Sequence, residues 1–291
     1  MTFEFLPEQP PIYPPEAEDY SRRALQLSFD AIGKCDVRTD IAYGADARQI
    51  LDVYRPRADP REALPVLLFI HGGGWTNGYK EWVGLLAPAI TAFPAVFVSV
   101  SCRLAPVHRF PAPFDDCVAA IRWTYDHIAG FGGDPEKLFV GGHSSGGHLT
   151  ALATLRVDAL AAAGVPQTAI QACFPVSSRF NMVFGDPPPG SIEHRHQSVL
   201  FVPGQDAVPA SPFHQIGASK TPFLLAYGSR DIPSIIDNNE QMSAALSARG
   251  VPVERLVLEG HDHFDTAIET RHADSLWIQA IRRRMRNEVP G

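Results

Sequence analysis

Along the first part of the chain apolar positions are sparse. Residues 1–30 are rich in proline and acid, and only the stretch from Ala17 to Leu27 sets apolar side chains at helical spacing. This predicts a leader carrying one helix that packs over the core. Two strand-like runs follow, Asp36 to Tyr43 and Gln49 to Tyr54. The intervening Gly44-Ala45-Asp46-Ala47-Arg48 suits an antiparallel hairpin.

From Pro65 the pattern changes. Continuous apolar runs (Pro65 to Ile70, Ala95 to Val100, Leu138 to Val140, Ala169 to Phe174, Pro222 to Tyr227, Val253 to Leu258) alternate with helical stretches at about 80–91, 113–129, 146–161, 238–249 and 266–285. Strands that are apolar on both faces belong to a parallel sheet covered on both sides, and strand–helix alternation places the chain in the α/β class. The expectation is a mostly parallel, eight-stranded sheet with helices on both faces, in one unit over residues 31–291. Between Phe174 and Pro222 the chain spends more than forty residues, Pro187-Pro188-Pro189-Gly190 among them, far more than a crossover needs. We read this excursion, at 176–215, as a lid inserted after the sixth strand.

Composition narrows the class. At 291 residues and 45% hydrophobic, the chain can bury a large single core. A net charge of −7, with no basic block longer than Arg282-Arg283-Arg284, removes nucleic acid from the expected partners. Those arginines fall near the end of the last predicted helix, where cations complement the dipole. The amino terminus lacks a basic start and an apolar signal run, and no stretch reaches the roughly 18 apolar residues of a membrane span. A cytoplasmic protein without a membrane partner is expected. Cys35, Cys102, Cys117 and Cys173 are scattered, as buried reduced thiols would be.

The chemistry centres on Gly142-His143-Ser144-Ser145-Gly146, which follows the run Leu138 to Val140 and precedes a helical stretch. A nucleophilic serine on a tight strand-to-helix turn needs glycines two residues to either side, because side chains there would collide. Acyl transfer also needs donors aimed at the developing oxyanion. His71-Gly72-Gly73-Gly74-Trp75 follows the strand ending at Ile70 and supplies a loop whose amides can turn inward. It has neither the Lys-Ser/Thr ending of a phosphate loop nor a spaced glycine fingerprint. In this fold the acid and then the histidine follow the serine in sequence. Asp231, straight after the run to Tyr227, is a better acid than Asp206 in the lid or Asp237 at a helix start. For the base, Glu259-Gly260-His261-Asp262-His263 offers two histidines that spacing leaves unresolved. Neither His261/His263 nor His194/His196 has a third ligand at zinc spacing, so no metal or other cofactor is called for.

Together, His71 to Trp75, Cys102-Arg103-Leu104-Ala105-Pro106, Phe114-Asp115-Asp116-Cys117 and Gly142 to Leu149 resemble the esterase branch related to hormone-sensitive lipase, of the α/β-hydrolase superfamily. Asp262-His263-Phe264-Asp265 is similar to the serine-dependent kynurenine formamidases (arylformamidases). The resemblance covers residues 35–285. It implies a Ser144–Asp231–His263 triad, an oxyanion hole from Gly73, Gly74 and the Ser145 amide, and hydrolysis of a small aromatic N-formyl amide or ester through an acyl-enzyme. Carboxylesterase activity on short acyl esters is the alternative, and a ligand-binding homologue without chemistry a remote one. Trp75, Phe180, Phe184 and Phe201 are the expected pocket aromatics. Cys102 stands where many relatives have an aromatic, and Ser145 where alanine is commoner. The expected partner is a small-molecule substrate, with a homodimer left open.

Overall fold

The period-two alternation of each strand distributes its side chains between two cores. The computed structural model describes residues 6–58 and 62–286; residues 1–5 of the expected leader and 287–291 lie outside them. In chain order the elements are α1 (Ala17–Ile32), β1 (Asp36–Ala42), β2 (Ile50–Arg55), β3 (Leu64–Ile70), α2 (Ala87–Ala92), β4 (Val96–Val100), α3 (Ala112–His127), β5 (Gly133–His143), α4 (Ser145–Leu155) and α5 (Val157–Ala162). Then come β6 (Ile170–Val176), α6 (Ile192–Leu200), β7 (Phe223–Gly228), α7 (Pro233–Ala248), β8 (Val253–Leu258), α8 (Asp265–Ile268) and α9 (Leu276–Met285).

The strands form one eight-stranded sheet in the order β1-β2-β4-β3-β5-β6-β7-β8. β1 pairs antiparallel with β2, and β2 with β4; every pairing from β4 onward is parallel. In β3, Val66, Leu68 and Ile70 face one core, which α3, α4 and α7 cover with Phe114, Ile121, Leu152 and Met242. Leu67 and Phe69 face the other, which α1, α2 and α9 cover with Tyr20, Ile90, Trp277 and Ile281. Both faces are dry, which is why these strands read as unbroken apolar runs.

Four helix boundaries differ from expectation. The stretch at 80–91 is two 3-10 turns, Lys80–Trp82 and Gly84–Leu86, ahead of α2. Pro88 fits only the first turn of a helix, so α2 starts afresh there. The stretch at 146–161 breaks at Arg156, between α4 and α5. α7 begins at Pro233, earlier than its apolar spacing indicates. The stretch at 266–285 splits into α8, a 3-10 turn and α9, the last capped by the Ser275 hydroxyl accepting from the Ile278 amide. β5 is also much longer than Leu138 to Val140. Its start is polar and half-exposed, and its end is Gly141-Gly142-His143.

Between β6 and β7 the chain forms α6 and two 3-10 turns, Val208–Ala210 and Pro212–Gln215. The segment is tied down: Asn238 Oδ1 on α7 accepts from the Phe180 and Asn181 amides at 3.0 and 2.9 Å, and Ser211 Oγ from the Met182 amide at 2.9 Å. Among the described residues no helix is long and apolar enough to cross a membrane.

Candidate active site

β5 delivers the chain into a turn that only particular residues allow. Ser144 takes φ 52° and ψ −116°, a conformation costing about 1–3 kcal/mol in a residue with a Cβ. A Cβ on Gly142 would sit 2.4 Å from the carbonyl carbon of Gly146, and one on Gly146 2.2 Å from the Ile70 oxygen. These glycines let the turn pass between β3 and α4. The Ser144 amide donates to the Val176 carbonyl at 2.8 Å, pinning the turn to the end of β6.

Asp231 follows β7 and is 4% exposed. Its Oδ1 accepts from the Ile232 amide at 2.7 Å and from His263 Nδ1 at 2.8 Å. His263 Nε2 lies 3.1 Å from Ser144 Oγ. With Nδ1–H given to the carboxylate, Nε2 is left to accept the serine proton. Burial pushes the Asp231 carboxyl up, but His263, the nearby Ser177 hydroxyl and the Ile232 amide outweigh it and hold its pKa below the ordinary value.

A second polar layer holds this chain of contacts. The His263 carbonyl accepts from His143 Nε2 at 2.9 Å and from Thr266 Oγ1 at 2.8 Å, and Thr266 Oγ1 lies 2.7 Å from Ser177 Oγ. The other candidates stand apart. His261 Nδ1 donates to the Glu259 carbonyl, and Asp206 and Asp237 are exposed, Asp206 capping the Val208 amide.

The glycine loop follows β3. Gly73 has φ 121° and Gly74 φ 60°. The Gly73 carbonyl accepts from the Thr76 and Asn77 amides at 3.1 and 3.0 Å, and a Cβ there would fall 2.1 Å from the Asn77 oxygen. His71 and His148 are structural: burial drops both to about 4, and His148 accepts from Trp75 Nε1 and donates to the Ala210 carbonyl.

Ser144, His263, Gly73 and Gly74 line one cavity of about 170 Å³. The aromatics expected there lie elsewhere. Trp75 is 3% exposed, wedged edge-on between His148 and His196; Phe180 is wholly buried; Phe201 packs on Phe110; and Phe184 sits under the Arg179 guanidinium. Each serves to fasten the excursion to the core. The cavity is walled instead by Tyr20, Trp82, Phe264 and Ile235, with Ile12 and Tyr13 from the leader. Leader residues are held there by Gln9, whose amide bonds both the N–H and C=O of Gly78, and by Asn77 Nδ2 donating to the Pro10 carbonyl.

Of the polar lining residues, Arg179 and Asn77 were not anticipated from the sequence, and His196 figured there only in the His194/His196 pair. Arg179 had one available signal: it stands just past the carboxyl end of a parallel strand, where ligands bind in α/β sheets. Its Nη2 donates to Glu193 Oε1 and Ser234 Oγ, both at 2.9 Å. His196, on α6, is neutral, its pKa pushed down to about 3 by burial and then by the charge of Arg179.

This sheet order, serine turn and glycine loop accord with the match of residues 67–265 to the family described as alpha/beta hydrolase fold, and the chain belongs to that family. Esterase LipC of Mycobacterium tuberculosis is 30% identical over 273 residues, 84% of this chain and 66% of that protein. The isoprenylcysteine alpha-carbonyl methylesterase of Arabidopsis thaliana is 26% identical over 265 residues, 84% of this chain. Both are longer: this chain spans 66% and 60% of their lengths. Among solved structures, an esterase of Pyrobaculum calidifontis shares the fold with a TM-score of 0.74 at 24% identity, over 94% of this chain and 92% of that one.

Proposed function

We propose that the protein is a serine hydrolase that cleaves small acyl esters through an acyl-enzyme on Ser144. The observation that carries this is the unbroken contact from Ser144 Oγ through His263 to buried Asp231, opening on a cavity beside the glycine loop. His263 takes the serine proton as Oγ attacks the carbonyl, and returns it to the departing alcohol. Asp231 fixes the tautomer and stabilises the imidazolium. The amides of Gly73, Gly74 and Ser145 supply the oxyanion donors, each worth about 3 kcal/mol in the transition state. Water then attacks the acyl-enzyme by the same proton path in reverse. The esterases among its relatives by sequence support the ester bond as target.

N-formyl aromatic amides are a second reading. The small cavity beside the rings of Tyr20, Trp82 and Phe264 suits a one-carbon acyl group on an aryl amine. Turnover of N-formylkynurenine and of para-nitrophenyl acetate by the purified protein separates the two. Brisk ester hydrolysis with negligible formamide turnover supports the first; hydrolysis of neither refutes both.

A further inference from the structure

Beyond the groups given a role above, the cavity wall is rich in hydrogen-bond donors. Arg179 and Trp82 can only donate. Arg179 Nε and Trp82 Nε1 are buried without a partner among the described residues, and so is the Tyr20 hydroxyl. The Arg179 side chain is 6% exposed. His196 adds to them. Its Nε2 is directed at Gly74, 3.6 Å from where a Cβ would stand, and its Nδ1 is buried without a partner. A neutral imidazole carries one N–H, and a stranded lone pair is tolerated better than a stranded N–H. The proton therefore sits on Nε2, facing the cavity. Of the spare acceptors nearby, His143 Nδ1 is turned against Gly72 rather than into the cavity, and Asp231 Oδ2 belongs to a residue that does not line it. Asn77 is already committed to Pro10 and Thr76.

We infer that the cavity takes esters whose acyl chain carries a neutral oxygen acceptor (an ether, hydroxyl or keto oxygen) held by His196 and Arg179. His196 beside Gly74 puts a donor next to the point where the acyl carbonyl is held. The acceptor is neutral because Glu193 already balances the Arg179 charge, so a second carboxylate would meet a carboxylate. Ile192, Glu193 and His196 lie at helical spacing on α6, so one face of the excursion supplies both the counter-ion and the donor.

This inference rests on Ser144 being the nucleophile, and the test keeps the two apart. Ser144→Ala protein is titrated calorimetrically with para-nitrophenyl methoxyacetate and para-nitrophenyl butyrate, chains of equal length that differ by an oxygen for a methylene. The methoxyacetate binds about tenfold tighter or more, since a site built to donate rejects the analogue lacking the acceptor. Adding His196→Phe, which keeps a ring against Trp75, brings the two within twofold, and Arg179→Met narrows the gap independently. Equal affinities in the Ser144→Ala protein, or a preference untouched by both variants, overturn the inference. Tighter binding of the hemisuccinate than of the methoxyacetate overturns the neutral acceptor. Native-level turnover by Ser144→Ala refutes the nucleophile, and the same preference is then read from the ratio of the KM values of the two esters.

Discussion

The floor of the cavity is built from strand ends, whereas its roof comes from two segments that belong to no strand. The floor gathers Gly73 and Gly74 after β3, Ser144 after β5, Asp231 after β7 and His263 after β8; backbone hydrogen bonds and glycines that admit no side chain fix the serine turn and the glycine loop, and His143 and Thr266 hold the His263 carbonyl. The roof is residues 12–20 of the leader with α6, held by side chains such as Gln9, Asn77 and Arg179. In our account bond cleavage is set by the floor and substrate choice by the roof. A mutation in one should therefore move kcat and a mutation in the other KM.

The largest effect expected is in the floor. Asp231→Asn leaves the geometry but favours the wrong His263 tautomer, and should lower kcat by about ten-thousandfold; steady-state kinetics on a short ester would show it. Next comes acid stability. Burial lowers His71 and His148 to about 4 and His143 and His196 to about 3, so unfolding takes up protons as pH falls below about 6.5, each histidine removing about 1.4 kcal/mol per pH unit. Asp52, raised to about 6 by burial, binds its proton more readily when folded and cancels roughly one of the four. The net loss, about 4 kcal/mol per unit between about pH 6 and 4, is measurable by denaturant titration. Three of these histidines lie outside the roof, so His196→Phe should leave most of that slope.

Smaller effects separate the regions further. Thr266→Val removes a donor to the His263 carbonyl and the partner of Ser177, and should cut kcat about tenfold with KM unchanged. Thr266→Ser should restore it, which loss of packing alone would not explain. Tyr20→Ala strips a ring stacked on Phe264 and edge-on to Trp82. It should raise KM about three- to tenfold with little change in kcat, the mark of lost ground-state binding.

The same division decides what could be read from the sequence. Floor residues were legible because glycine spacing and two-faced apolar strands are local consequences of crowding and burial, as at Gly142, Gly146 and β3. His261 and His263 could not be separated by spacing, since the difference lies in which side of the turn each imidazole takes: one meets Glu259, the other Asp231. The roof was misread because an aromatic in a long excursion looks the same whether it lines a cavity or fastens the segment down. Phe180 and Phe201 do the latter. Tyr20 was visible as the apolar face of a helix, but its meeting with Phe264, far along the chain, is tertiary.

Covalent labelling asks directly whether Ser144 is the nucleophile. Incubation with a fluorophosphonate, followed by peptide mapping, should place one adduct per chain on Ser144. Ser144→Ala should abolish the adduct, and His263→Ala should slow it at least about a hundredfold. Absence of an adduct from protein shown to be folded, or an adduct carried by Ser145 instead, would contradict the account.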